Sequence, residues 1–226
     1  MYTLIRSSRK TIALKVLKDG TLQVKAPKQV SQSEIERFIE EKSDWIAKRT
    51  AQIKSAEDFE ISDGSWIRVL GVDIPVLAVP DGRFEFKRAV KLDHSVITIP
   101  AGADPKTVKR GIVNIYRKLA EDIILQRVAW YEAVMDLHPT KVRINNAASR
   151  WGSCSSKKSI NFSWRLVMAD GKAIDSVVIH ELAHIKYMNH SKAFWNLVEQ
   201  YCPDYKIQRK KLNRLSEKLM AENWDV

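Results

Sequence analysis

An α+β fold is the class this sequence predicts: a β-rich amino-terminal region containing one helix, followed by a half dominated by helices. Three observations point there. Short alternating apolar runs, punctuated by Gly, Pro and Asp-Gly, occupy much of residues 1–100. A capping signal followed by helical spacing interrupts them once. From Asp104-Pro105 onward apolar residues recur at a period near 3.6. The expected division falls near Pro100, separating residues 1–100 from 101–226.

Thr11 to Leu17 alternates, Asp19-Gly20 is a turn signal, and Thr21 to Val24 alternates again before Pro27, which predicts a hairpin. Ser31-Gln32-Ser33-Glu34 matches a capping box, and Ile35, Phe38, Ile39, Trp45 and Ile46 extend a helix from about Ser33 toward Lys54. Turn residues from Asp63-Gly64 to Asp81-Gly82 then bound short β-type runs ending near Ile99-Pro100. Asp104-Pro105 is a helix start, and the apolar period from Val108 to Tyr131 carries that helix to about Leu137. Lys141 to Ile144 reads as a strand, Arg150 to Cys154 as a polar loop, and Ile160, Phe162, Trp164 and Leu166 as a second strand. Three helices follow, over about Lys172 to Met188, Lys192 to Tyr201 and Asp204 to Leu219.

Composition narrows the setting. With 45% apolar residues, the 226-residue chain can bury an ordinary core. Two cysteines, Cys154 and Cys202, are too few for a disulfide framework, so a reducing, cytoplasmic compartment is expected. Charges at Arg6, Arg9 and Lys10 argue against a secretory signal, and no apolar run reaches the roughly 20 residues a membrane helix needs. The net charge of +11 is uneven: residues 1–100 hold 17 Lys/Arg against 14 Asp/Glu, and 101–226 hold 21 against 13. The basic excess of the second half suits nucleic acid or an anionic substrate. Its clusters, such as Arg209-Lys210-Lys211, lie in helical segments without interleaved aromatics, so solvated helix faces are the preferred reading.

The chemistry concentrates in His180-Glu181-Leu182-Ala183-His184. On a helix, side chains four apart share a face, so both imidazoles can reach one ion. With His180 at zero, His184 lies about 40° round and Glu181 about 100°, while Ile174, Val178, Leu182 and Ile185 form an apolar face at about 120–200°. Neutral imidazole nitrogens bind zinc at about 2.0 Å, and an adjacent carboxylate can take a proton from its water. A catalytic zinc usually has a third protein ligand. His190 is the candidate, turned back toward the metal if the helix stops at a left-handed Asn189 and Ser191 caps the next helix. Three of the five histidines fall within this stretch, which argues against ordinary core histidines. Glu199 is the rival third ligand, but its neighbours Val198 and Tyr201 make a solvated helix position sufficient. His94 and His138 read as turn histidines, and Cys154 as a small structural residue.

These residues, with Arg150-Trp151-Gly152-Ser153-Cys154, Trp164-Arg165-Leu166, Asn189-His190-Ser191, Phe194-Trp195 and Cys202-Pro203-Asp204-Tyr205, resemble the YgjP-like family of metal-dependent hydrolases, related to SprT-like and WLM-type zinc peptidases. The likeness covers nearly the whole chain. It implies a zincin-like metallopeptidase domain over 101–226, one Zn2+ held by His180, His184 and His190, and Glu181 as catalytic base. The histidine spacing also equals that of metzincins, but Tyr187 stands where those peptidases place glycine, and no methionine turn is evident.

The expected activity is zinc-dependent peptide hydrolysis. In related peptidases a strand beside the active-site helix binds extended substrate, a role that falls here to Ile160–Val167, with Arg150 and Arg165 as candidate substrate contacts and Trp151, Trp164, Phe194 and Trp195 as core. A metal-dependent nucleotide hydrolase is the alternative, because the same chemistry serves phosphoanhydrides and the half is basic. A zinc-stabilised nucleic-acid module is disfavoured, since a structural zinc takes four ligands and has no use for Glu181. The sequence predicts no membrane partner and leaves oligomeric state open.

Overall fold

The computed structural model describes residues 2–17, 19–54 and 59–224. Its contacts separate two compact units. One comprises the described residues up to Phe59 together with Glu217–Asn223; the other comprises Glu60–Ser216 and Trp224. The boundary expected near Pro100 falls inside the second unit.

In the first unit, β1 (Tyr2–Ser7), β2 (Ala13–Val16) and β3 (Leu22–Pro27) form a sheet in the order β1-β3-β2. The expected hairpin is the antiparallel β2/β3 pair, with Val16 opposite Leu22. β1 was not expected. It pairs parallel to β3, Tyr2 opposite Leu22 through Ser7 opposite Pro27, and Arg6 donates from Nη1 to the carbonyls of Pro27, Lys28 and Val30. Val24, Ala26 and Ile35 are fully buried at the centre of this unit. The capping box is present: Ser31 Oγ accepts from Glu34 N–H, and Glu34 accepts from Ser31 N–H. The single helix expected toward Lys54 is two, α1 (Gln32–Glu41) and α2 (Ser43–Lys54), interrupted at Lys42. Apolar spacing continues across a break of one residue, so periodicity does not reveal it.

The second unit opens with a four-stranded sheet, β4 (Trp66–Val69), β5 (Val72–Val79), β6 (Glu85–Lys87) and β7 (Val96–Pro100), in the order β4-β5-β7-β6. The β4–β5 turn uses left-handed Leu70 and Gly71, at φ 50° and 83°. Leu70 and Gly71 N–H donate to the carbonyls of Val167 and Met168. A Cβ on Gly71 would lie 2.9 Å from Asp170 Cβ, so glycine permits this close approach.

α3 (Pro105–Met135) begins as expected, with Asp104 accepting from Thr107 N–H, and stops at left-handed Asp136. β8 (Lys141–Asn145), β9 (Gly152–Cys154) and β10 (Ser159–Ser163) form the third sheet, in the order β8-β10-β9. The polar loop expected over Arg150–Cys154 therefore contains a strand. The second expected strand ends at Ser163, whose Oγ accepts from Arg165 N–H and starts a 3-10 turn over Trp164–Met168. All five turn residues are buried, so the alternation there reflects a packed turn. Tyr116 of α3 stacks on Trp164 at 5.6 Å and donates its hydroxyl hydrogen to the Arg68 carbonyl at 2.9 Å. α4 (Gly171–Lys186), α5 (Lys192–Tyr201) and α6 (Tyr205–Ala221) follow near their expected bounds, the second unit's share of α6 ending at Ser216. No described helix is long and apolar enough to cross a membrane.

Candidate metal centre

The site grows from α4. Asp170 caps it, accepting from Ala173 N–H at 3.0 Å, and its other oxygen pairs with Lys211. Ile174, Val178 and Leu182 are fully buried, which fixes the helix's rotation and brings His180, Glu181 and His184 to one region. The helix ends at Lys186, and Tyr187 leaves it in an extended conformation, φ −131° and ψ 104°. The stop therefore precedes Asn189, which is not among the described left-handed residues. Ser191 caps α5 as expected, accepting from Phe194 N–H. The short reversal between the helices returns His190.

One ligand atom from each of His180, His184 and His190 lies within 4.8 Å of the others. His180 Nε2 and His190 Nε2 face each other at 3.2 Å. Two nitrogens bound at about 2.0–2.1 Å on a tetrahedral zinc stand about 3.3–3.4 Å apart, so this pair fits such an ion. His184 Nδ1 lies 3.0 Å from the Tyr187 carbonyl, which can only accept. Nδ1 thus carries the hydrogen, leaving Nε2 its lone pair. Burial, then the neighbouring His184, His190 and Arg209, pull His180 down to about 4, which keeps it in the neutral, ligating form. His184 is lowered for the same leading reason. Phe194, fully buried, sits 4.6–4.9 Å from all three imidazoles, and Trp195 stacks on His190 at 5.5 Å.

Glu181 faces the same cleft. Only 6% of it is exposed, and its Oε2 has no hydrogen-bond partner. Burial pushes its carboxyl up to about 7, opposed by Arg150. Glycine at 152 makes room for it: a Cβ there would lie 2.6 Å from Glu181 Cγ and 2.7 Å from Oε1. Gly152 and Tyr187 were not foreseen as site residues, although the Trp-Gly-Ser run marks a place where a backbone is approached closely.

The two candidate substrate arginines diverge. Arg150 is exposed and close enough to Glu181 to act on its charge. Arg165 is 5% exposed, donates from Nη1 to the Asn146 side chain at 2.9 Å, and lies 4.4 Å over the Trp164 ring. The expected substrate contact of Arg165 thus gives way to an enclosed packing position. The expected substrate strand lies in the middle of its sheet: β10 pairs with β8 on one side and β9 on the other, so β8 and β9 are the edge strands and β9 is the one that carries Gly152 beside Glu181. Trp164 and Phe194 are core as expected, whereas Trp151 and Trp195 are half-buried in a cleft of about 200 Å³ beside His180 and Glu181. Glu199 is exposed and outside the histidine cluster. Cys154 is half-buried, and burial with the nearby Glu181 pushes its thiol up, away from a reactive thiolate. His138 lies between Glu132 and Asp136 at 3.0 and 3.1 Å.

No curated protein matches the sequence. The crystal structure of the metallopeptidase zymogen of Pyrococcus abyssi abylysin is similar over 44% of this chain and 97% of its own, at 21% identity and a TM-score of 0.37. The family described as YgjP-like, metallopeptidase domain matches residues 10–215, and this chain belongs to the YgjP-like family.

Proposed function

We propose that the protein is a zinc-dependent peptidase in which His180, His184 and His190 hold one ion and Glu181 is the general base, in a zincin-like arrangement. The observation that carries this reading is the convergence of three imidazole ligand atoms within 4.8 Å beside a buried carboxyl with a free oxygen. A structural metal site would have no use for that carboxyl. An ion held by these three imidazoles would supply Lewis acidity and make a water easier to deprotonate.

The chain's own groups do the rest. Glu181 Oε2, unpartnered, accepts a proton from the attacking water and returns it to the leaving amine. Burial, opposed by Arg150, raises this carboxyl to about 7, which favours its taking up a proton. His184 is held in the ligating tautomer by the Tyr187 carbonyl. Phe194 and Trp195 brace the His190 ring by aromatic contacts. The free edge of β9, packed by Gly152 against Glu181, is suited to an extended peptide added as a further strand.

Arg150 and Arg209, cations near the cleft, would also suit a nucleotide's phosphates. The test therefore includes both substrate classes. Zinc-loaded protein is incubated with denatured protein, peptides and nucleoside triphosphates, with a chelated control. New peptide termini, lost on chelation, are the expected result; nucleotide hydrolysis without peptide products would replace the peptidase reading with a phosphoanhydride hydrolase.

A further inference from the structure

The cleft beside His180 and Glu181 is too small for a drug-sized ligand, whose pockets occupy about 300–1,000 Å³. At about 200 Å³ it has the scale of one amino-acid residue. Its walls are largely apolar: Trp151, Val177, Trp195, Val198, Tyr205 and Leu212. Val198 and Leu212 are buried and Trp195 stacks on Tyr205 at 5.0 Å, so the walls are anchored in the packing. One cation joins them. Arg209 of α6 lines the same cleft as His180 and makes no ion pair or hydrogen bond with any described residue. Its exposure places it at the rim, above the apolar walls.

An apolar pocket with a free guanidinium at its mouth needs a ligand carrying both an apolar group and an anion. An acidic side chain meets only the second need, since entering the pocket would desolvate its carboxylate among Trp, Val and Leu. An internal apolar residue meets only the first, because its backbone continues as an uncharged amide. A carboxy-terminal apolar residue meets both: side chain and α-carboxylate diverge from one Cα, and guanidinium matches carboxylate as a two-donor fork.

We infer that this cleft receives the carboxy-terminal residue of a peptide, with an apolar side chain in the pocket and its α-carboxylate on Arg209, so that the enzyme acts as a carboxypeptidase. This inference rests on the peptidase reading above. The reaction is hydrolysis of the last peptide bond: water's hydroxyl joins the acyl carbon, the C–N bond breaks, and the proton goes to the amine of the released amino acid. Arg209 is a specificity residue and takes no part in proton transfer.

The test uses the zinc-loaded full chain and pairs of peptides ending in leucine as the free acid or the amide. The free acid should be cleaved with a kcat/KM about 10–100-fold higher, the range of one charge-assisted pair, mostly through KM. Arg209→Ala should abolish the difference, whereas Arg209→Lys should keep part of it. Equal cleavage of acid and amide, or a preference that survives Arg209→Ala, overturns the inference while leaving the peptidase reading intact. Calorimetric titration with L-leucine and L-leucinamide gives an answer independent of turnover. If no peptide is cleaved at all, the peptidase reading fails, and the pocket assignment stands only if leucine binds better than its amide to wild type and not to Arg209→Ala.

Discussion

The two sides of the metal centre are built differently. On one side His180 and Glu181 project from α4, whose apolar face is fully buried, and the absent side chain at Gly152 leaves just the room that Glu181 fills. On the other, exposed His190 is held on a short reversal by ring contacts with Phe194 and Trp195. The buried side has its position set by packing, so small steric changes there should disturb chemistry while sparing metal affinity. The exposed side is held by fewer restraints, so its contribution should appear mainly in metal binding.

Removing His190 should give the largest effect on the exposed side. His190→Ala should weaken zinc binding by more than the roughly 10–100-fold expected from loss of an outer-shell partner, whereas Glu199→Ala should leave it unchanged. Competition titration with a chelator measures both; the reverse ranking breaks the comparison. On the buried side, Gly152→Ala drives a methyl group into Glu181. Turnover should fall on the order of 10²-fold, the cost of a misplacement near 1 Å, with zinc content preserved. Unchanged turnover would show that the carboxyl needs no fixed position.

The two arginines sharpen the contrast as a difference in stability. Arg165→Ala removes one of the two donors to Asn146 Oδ1, leaving Trp164 Nε1–H as the other, and uncovers the Trp164 ring, and should lower stability by about 1–3 kcal/mol in chemical denaturation. Arg150→Ala, at an exposed position, should change it by less than about 0.5 kcal/mol.

The smallest effect lies outside the site. Hydrogen bonds donated to Glu132 and then Asp136 raise the pKa of exposed His138 above 6.5, so its protonated form favours the fold. Its contribution is complete below pH 6.5 and disappears as pH rises through the raised value. His138→Gln should remove a slight pH dependence in that window, and a stability profile unchanged by the substitution would contradict the pairing.

The legible part of this site was the part encoded within a few turns of chain. Helical spacing alone places His180, Glu181 and His184 together, and a capping serine at 191 marks the reversal that returns His190. Long-range pairing was hidden. β1 joins β3 in parallel across some twenty residues, and no local pattern specifies that register. The middle position of β10 follows from two partners on different segments, so the strand that looked suited to substrate proved to have no free edge. Arg209 and Arg165 illustrate the same limit. Arg209 read as a solvated helix charge and Arg165 as a candidate substrate contact, but tertiary packing sends the first to the cleft and encloses the second over Trp164.

Glu181→Gln tests the central claim most directly, because it removes the proposed base without touching a ligand. Zinc per chain and peptide hydrolysis are measured on the same preparations of wild type and variant. The account predicts equal zinc content and a hydrolysis rate reduced by about 10²–10⁴-fold in the variant. Equal zinc content with undiminished hydrolysis would contradict it.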